Sequence, residues 1–272
     1  MPHHWTLEDI PWDDIEPGAV EPELLETIKA AALVEANSQD YVTYLHNVFK
    51  GDADFSAAAS HWGLEERQHG DALGKWAELV DPSFSYPEAL QCFRDGYSLP
   101  LETDESVRGS RSGELVARCV VESGTCSFYS AIRDRTSEPV LQKICGYIAQ
   151  DEALHYRLFH THLKRYLKNR KLGFWAKIKI AAGRVFEVGD DELAYAYYSA
   201  NVQKSGREYD RARCARAYSQ RATRLYDFKH IQTAVRMILL ATDVNAYGRF
   251  AGWATRIAWW SLKRRNKRLL AA

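Results

Sequence analysis

Two short segments of the sequence place a glutamate and a histidine three residues apart. Glu66 and His69 form one pair, and Glu152 and His155 form the other. Residues three apart on a helix lie on the same face, so each segment would present a carboxylate and an imidazole side by side. Either pair alone is a weak signal, because single Glu-x-x-His segments also occur on solvated helix surfaces.

Two further glutamates stand alone in apolar stretches and repeat the spacing of these pairs. Glu35 precedes Glu66 by 31 residues, and Glu122 precedes Glu152 by 30 residues. The two halves are offset by 86 or 87 residues throughout. The alternative is that all four glutamates lie on solvated faces and both histidines are surface or ordinary core residues. That alternative accounts poorly for the repeat.

Four carboxylates and two imidazoles make a ligand set for two divalent ions. In some four-helix bundles, two helices each supply a glutamate, the other two each supply a Glu-x-x-His pair, and the set binds two iron or manganese ions. Burying four carboxylates without metal would be costly, and the mixed oxygen and nitrogen set suits iron or manganese better than zinc. We therefore predict two iron ions, with manganese as the alternative, bound by Glu35, Glu66, His69, Glu122, Glu152 and His155.

The apolar spacing predicts helices along nearly the whole chain, because it follows a period near 3.6 and period-two alternation is essentially missing. We predict an all-α fold: a four-helix bundle with a di-metal centre, followed by additional C-terminal helices. The expected units are an N-terminal segment (1–20), the core (21–170) and basic C-terminal helices packed on it (171–272). The predicted helices span 23–49, 55–79, 114–135, 139–168, 174–186, 190–226 and 229–262, with a long connection over 82–113.

The residues around the two pairs resemble conserved segments of the soluble acyl-carrier-protein desaturases. The segment 62–71 reads WGLEERQHGD, similar to W-x-x-E-E-x-R-H-G-D in that family; 151–155 reads DEALH, similar to D-E-x-R-H; and 122–125 reads ESGT, similar to E-x-x-T. The resemblance covers about residues 20–170. It implies a ferritin-like bundle and an enzyme that uses two iron ions, O2 and two electrons from ferredoxin or a similar donor. Its reaction would remove two hydrogens from a fatty acyl chain on acyl carrier protein.

The resemblance and the helical spacing also suggest residues around the metal ligands. The family pattern puts Thr125 beside the oxygen-binding side, as a catalytic residue, and makes Asp151 a partner of a ligand histidine. Trp62, four residues before Glu66, is expected to pack beside the site. Helical spacing from Glu35 and Glu122 predicts that three further residues line the cavity: Gln39, Cys126 and Tyr129.

The sequence departs from the family where an arginine precedes each histidine. Gln68 and Leu154 occupy these positions, so the hydrogen bonds of those arginines do not carry over. Related ferritin-like di-iron proteins include hydroxylases, N-oxygenases and ferroxidases, which share the ligand set and differ in the cavity. A di-iron hydroxylase or N-oxygenase of a small molecule, and an iron-handling ferroxidase, therefore remain alternatives to a desaturase.

The charge of the chain is divided unevenly between its two halves. Residues 1–122 hold 24 acids and 8 bases, whereas residues 123–272 hold 12 acids and 28 bases. The basic residues concentrate in 164–184 and 263–268. They would suit nucleic acid, an anionic membrane surface or an acidic carrier protein, or simply form solvated faces against the acidic half.

The resemblance favours acyl carrier protein as the partner of the basic half, with no nucleic-acid partner. Peripheral membrane contact through the Trp-rich and Lys-rich last helix is a further possibility. Amphipathic faces left over from the core suggest a homodimer.

Composition excludes several classes of protein. The chain has 272 residues, of which 46% are hydrophobic and 26% charged, so it is neither disordered nor collagen-like. Five cysteines without a Cys-x-x-Cys pair argue against a disulfide framework or a zinc ribbon. No signal peptide and no apolar run near the roughly 18 residues of a membrane span are seen, so we expect a cytoplasmic protein.

Overall fold

The computed structural model describes residues 4–99, 101, 103–169, 171–187 and 191–271. The described residues are mostly helical and contain no strand, which confirms the predicted all-α class. Arg170 of the predicted basic stretch and Asp190 of the sixth predicted helix lie outside the described residues. The helices are α1 (Pro22–Ala36), α2 (Ser38–Val48), α3 (Ala53–Val80), α4 (Tyr86–Gly96), α5 (Arg111–Arg135), α6 (Pro139–Asn169), α7 (Phe174–Phe186), α8 (Asp191–Asn201), α9 (Arg211–Ala222), α10 (Phe228–Ala241) and α11 (Arg249–Ala271).

The long helices begin at residues that satisfy their first backbone N–H groups. The Asp52 side chain accepts a hydrogen bond from the Phe55 N–H at the start of α3. Ser110 does the same for the Gly113 N–H at the start of α5. Pro22, which has no N–H to satisfy, is the first residue of α1.

Three helices that the sequence predicts as continuous are broken. The helix over 23–49 divides at Asn37, which separates α1 from α2. The helix over 190–226 is two helices, α8 and α9, with a short 3-10 turn after α8. The helix over 229–262 ends at Thr242 and resumes at Arg249, because Asp243 takes a left-handed backbone conformation (φ 58°) that a right-handed helix cannot accommodate.

The predicted connection over 82–113 contains a helix that the sequence analysis missed. The Ser85 side chain accepts from the Glu88 N–H, and α4 begins at the next residue after Ser85. A serine followed three residues later by a glutamate is a helix-start signal, so α4 was detectable from the sequence.

Helices α1, α3, α5 and α6 pack into the central layer of the molecule. α1 runs along α3, α5 runs along α6, and α3 also contacts α6. The approach of α3 to α1 is very close at Gly70, where a Cβ atom would lie 2.7 Å from the Ala36 nitrogen and 2.8 Å from the Ala32 oxygen. Only glycine fits this contact, which lies one residue after His69 and one residue from Glu35.

The described core contains two large apolar clusters, with polar residues between them, and a third, small cluster around Leu239. On α3, Trp62 belongs to one cluster and Leu73 to the other. On α6, Phe159 belongs to the first and Ile148 to the second. The two Glu-x-x-His segments lie between these positions on their helices, so the predicted ligands form a buried polar layer between the two large apolar clusters.

Segments outside the central four helices pack onto them. The indole N–H of Trp5 donates to Asp151 on α6, and the C-terminal helices α7, α8 and α10 pack on α5, α1 and α5 respectively. Arg221 and Arg224 of the basic half form ion pairs with glutamates of α1. Within the described part of the chain, no helix has both the length and the apolar character needed to cross a membrane.

Candidate metal centre

The six predicted ligands converge in the buried polar layer. They form two groups, and within each group one ligand atom per residue lies within 4.8 Å of every other. Both groups contain Glu66 and Glu152, which lie between the remaining ligands. The first group adds Glu35 and His69, and the second adds Glu122 and His155.

Both histidine rings are oriented in the same way. His69 Nδ1 faces the interior, 3.4 Å from Glu152 and 3.6 Å from Glu35. His155 Nδ1 also faces inward, 3.0 Å from Glu66 and 3.7 Å from Glu122. The inward nitrogens are therefore the ones available to a metal ion.

The outward nitrogen of each ring is held by a carboxylate from the opposite helix. His69 Nε2 donates to Asp151 of α6 at 3.0 Å, and His155 Nε2 donates to Glu65 of α3 at 3.0 Å. Because a carboxylate only accepts hydrogen bonds, it fixes a proton on Nε2. This arrangement, in which the second ring nitrogen of a metal-binding histidine donates to a carboxylate, orients the ring and raises its basicity.

Crowding in this layer shifts the pKa values of Glu66, Glu122 and Glu152. Burial, then the negative charges of Glu152 and Glu35, raises the pKa of Glu66 well above its ordinary value. Burial, then the charges of Glu152 and Glu66, raises the pKa of Glu122 in the same direction. Burial also acts to raise the pKa of Glu152, but the adjacent His69 ring and the charges of both histidines outweigh it and lower this pKa to about 2.

The histidines shift in the direction that compensates these charges. Burial acts to lower the pKa of His69, but the hydrogen bond to Asp151 and the nearby carboxylates of Glu152 and Glu35 outweigh it and raise this pKa well above 6.5. Burial acts in the same way on His155, and its hydrogen bond to Glu65 overcomes it. The raised pKa values of Glu66, Glu122 and both histidines favour protonation of these groups, which reduces the net negative charge of the layer.

Each of the six residues leaves one buried polar atom without a hydrogen-bond partner. The atoms are Glu35 Oε2, Glu66 Oε1, His69 Nδ1, Glu122 Oε1, Glu152 Oε1 and His155 Nδ1. Buried polar atoms in proteins are almost always hydrogen-bonded, so six unpartnered atoms in one interior layer need an explanation. Their types, carboxylate oxygen and imidazole nitrogen, are those that bind iron or manganese.

Two hydroxyl groups from α5 contact the ligands. Thr125 donates to Glu152 Oε2 and also lies 3.3 Å from the carbonyl oxygens of Val121 and Glu122. Tyr129 donates to Glu35 Oε1 at 2.5 Å and is buried. The bond from Tyr129 engages one oxygen of Glu35 and leaves the other directed at the cluster.

The other residues suggested from the sequence take different positions. Trp62 packs edge-on against His155, with ring centroids 6.5 Å apart. Cys126 is buried, and its thiol lies 3.4 Å from the carbonyl oxygen of Ala149. The prediction for Gln39 is wrong: its side chain is exposed, because the break at Asn37 changes the direction of the residues that follow Glu35.

Sequence reasoning assigned no role to Glu65 or Trp5, which both support the histidines. Glu65 holds His155, and Trp5 donates to the same Asp151 oxygen that accepts from His69. The signal for Glu65 was present, since it precedes Asp151 by the same 86 residues that separate the two histidines. Trp5 carried no such signal, because it reaches Asp151 across 146 residues.

Comparison of the chain with known protein families and with curated proteins finds no match. No relative therefore supplies an activity for this cluster. What its own side chains can do is bind one or more metal ions, hold protons on paired carboxylates and present hydroxyl groups at Thr125 and Tyr129.

Proposed function

We propose that the chain is a non-haem di-iron oxidoreductase that uses O2 to desaturate a fatty acyl chain carried on acyl carrier protein. The observation that supports the metal centre most directly is the set of six unpartnered buried atoms, one on each predicted ligand. Four carboxylates balance two divalent ions in charge. Ions bound between these side chains would give each of the six atoms a partner.

The two overlapping groups suggest how the ligands would be shared. Glu35 and His69 would hold one ion, and Glu122 and His155 would hold the other. Glu66 and Glu152, which belong to both groups, would be shared between the ions. A centre of this composition belongs to ferritin-like helical bundles, so the finer fold class is part of the same proposal.

When bound, two ferrous ions supply electrons for the reduction of O2 and the oxidising power for removing hydrogen from the substrate. The chain's own residues would position the metal ligands and hold a proton next to them. Asp151 and Glu65 keep the rings turned so that Nδ1 faces the ions. Thr125 holds a proton on Oγ1 next to Glu152, and Tyr129 fixes the orientation of Glu35.

The support for an acyl substrate is the likeness of the segments 62–71, 122–125 and 151–155 to the desaturase segments. In the proposed reaction one C–H bond breaks on each of two adjacent carbons and a C=C bond forms. O2 is reduced to two water molecules, which takes two protons and two electrons from ferredoxin or a similar donor. The basic C-terminal half would bind the acidic carrier protein.

The acyl chain would need an apolar channel that reaches the ligands. A cavity of about 570 Å³ lies between the start of α5 and α7, lined by residues including Arg108, Ser110, Lys171 and Lys179. None of the six ligands lines this cavity, so it is not the channel that the proposal requires.

A single-turnover experiment tests the proposal. Protein loaded with iron and chemically reduced is mixed with a set of acyl-carrier-protein substrates and O2, and the products are read by mass spectrometry. Loss of two hydrogens from an acyl chain supports desaturation. Gain of oxygen in an organic product would replace it with a hydroxylase or N-oxygenase, and iron-stimulated O2 consumption without an organic product would replace it with a ferroxidase.

A further inference from the structure

Helix α11 presents a row of large apolar side chains to the outside of the molecule. Phe250, Trp253, Ile257 and Trp260 recur every three or four residues and therefore share one helix face. All four are exposed, with Trp253 and Trp260 each 59% accessible, and Tyr247, just before the helix, is 77% accessible. We call these five residues the aromatic stripe.

The opposite face of α11 attaches the helix to the protein. Ala251 and Thr255 are buried, and α11 packs on α10 and α9. These small residues allow close contact with the rest of the fold. The helix therefore packs through this face, and its large side chains lie on the face that points away from the core. Contiguous exposed aromatic surface of this kind marks an interaction site.

The charge of α11 is entirely positive. Its 23 residues include seven bases and no acid. In the part of the chain that the structure describes, the bases of α11 take part in no ion pair with a carboxylate. Arg264 lies over the Trp260 ring with its Cζ 5.1 Å from the ring centroid, so positive charge and aromatic surface adjoin.

Helix α7 extends the same character toward the start of α11. Phe174 and Trp175 are exposed, and Trp175 is 78% accessible. Lys177, two residues further on, pairs with Asp243 in the turn that precedes α11. This ion pair joins the aromatic start of α7 to the turn that leads into the aromatic stripe.

We propose that the aromatic stripe and the bases beside it bind the surface of an anionic phospholipid membrane, with α11 lying in the interface. Aromatic side chains on one face with Lys and Arg around them are the pattern of interfacial helices. A second copy of α11 across the stripe would bring seven bases against seven bases. The acidic side chains of a protein partner would complement the charge of the bases, but they would leave the row of aromatic and aliphatic side chains without apolar contacts.

Vesicle co-sedimentation of the full chain tests this proposal. We expect binding to vesicles of phosphatidylcholine mixed with phosphatidylserine, weaker binding at high salt, and little binding to pure phosphatidylcholine. W253A/W260A and, separately, K263E/R264E should each weaken binding about tenfold or more, because each removes one of the two attractions.

Matched variants elsewhere on the surface separate this effect from general loss of apolar area or charge. L64A/V107A removes two exposed apolar side chains far from α11 in sequence, and K50E/K75E reverses two exposed lysines. Both should bind vesicles like the unmodified chain. Circular dichroism checks that all four variants are folded.

Three outcomes would overturn the proposal. The first is equal binding to pure phosphatidylcholine and to the anionic mixture. The second is unchanged vesicle binding by W253A/W260A while the same variant abolishes a dimer seen by light scattering without lipid, which would assign the stripe to a second copy. The third is no vesicle binding, with acyl carrier protein binding that the stripe variant loses.

Discussion

Two sets of buried carboxylates in this molecule are treated in opposite ways. Glu138, at the start of α6, is fully buried and accepts hydrogen bonds from the Leu141 and Trp76 N–H groups at 2.6 and 2.7 Å, and from the Val140 and Glu16 N–H groups at 3.2 Å. The four glutamates of the metal-centre candidate are also buried, and each keeps an oxygen with no partner.

The difference shows that this fold supplies donors where a carboxylate has a structural role. Glu114 is another case, since it accepts from the hydroxyls of Tyr44 and Ser106 and pairs with Arg118. The unpartnered oxygens in the polar layer therefore contrast with the satisfied carboxylates of Glu138 and Glu114. They mark the place where a ligand from outside the chain is expected to complete the bonding.

The largest effect is expected from removing a proposed ligand. Glu66→Ala or His155→Ala should lower metal affinity by more than about a hundredfold, since each removes a ligand that no neighbouring side chain replaces. Metal per chain is measured by plasma mass spectrometry after iron loading and desalting. Glu21→Ala, an exposed glutamate, is the control, and two metals per chain in both ligand variants would show that the ligand set is wrong.

The same substitution should have opposite effects in the two sets of carboxylates. Glu138→Gln should destabilise the protein by about 2 kcal/mol, because an amide leaves some of the surrounding N–H groups without an acceptor. Glu122→Gln should stabilise the metal-free protein by about 1 kcal/mol, because it removes a potential charge from a crowded layer. Urea unfolding with chelator present measures both.

The predicted gain in stability from Glu122→Gln follows from the pKa of Glu122. Burial and the neighbouring charges of Glu152 and Glu66 raise the pKa of Glu122 above its value in the unfolded chain. The stability of the unmodified protein therefore falls as pH rises above the unfolded pKa of this glutamate. A glutamine has no such loss. If both Gln variants destabilise the metal-free protein equally, the contrast between the two sets is wrong.

A smaller effect is expected from the carboxylates that hold the histidines. Asp151→Asn should weaken metal binding by about 10–100-fold, because the amide is a poorer acceptor for the His69 N–H. Glu65→Gln should act similarly through His155. Metal affinity is measured for both variants, and an affinity equal to that of the unmodified chain would mean that these acids serve the fold rather than the site.

The smallest effect is expected at Asp81, a partly exposed carboxylate whose oxygens have hydrogen-bond and ion-pair partners. Burial acts to raise its pKa, but the Lys29 ammonium at 2.6 Å and the Ser83 hydroxyl lower it from 3.8 to about 2. Its contribution to stability is complete above about pH 4 and is lost as pH falls to about 2. Asp81→Asn should cost about 1 kcal/mol at neutral pH. In urea unfolding across pH, this difference from wild type should vanish near pH 2.

The six-residue cluster could be anticipated because its signal is a repeat. Paired intervals of 30 and 31 residues survive without knowledge of the helix positions, and the structure brings those residues into one layer. The same offset of 86 residues relates Glu65 to Asp151, so the role of Glu65 could have been predicted as well. The contact of Trp5 with Asp151 could not be anticipated, since it depends on how the segment before α1 packs across α6.

The helix breaks were hidden because apolar residues continue on both sides of them. Near Asn37 the chain is buried before and after the break, so the periodicity passes through it. Gln39 was misplaced because its face was extended through that break. The break at Asp243 depends on a left-handed backbone conformation. Aspartate tolerates this conformation, but its presence in the sequence does not predict it.

The crossed support of the histidines has a consequence for redesign of this scaffold. The acid that steadies each ring comes from the other half of the internal repeat: Asp151 serves His69, and Glu65 serves His155. A fragment made of α1 and α3 alone would contain His69 without the carboxylate that orients it. A fragment made of α5 and α6 would contain His155 without its carboxylate. Transplanting this centre into another protein therefore requires both halves together, in their native register.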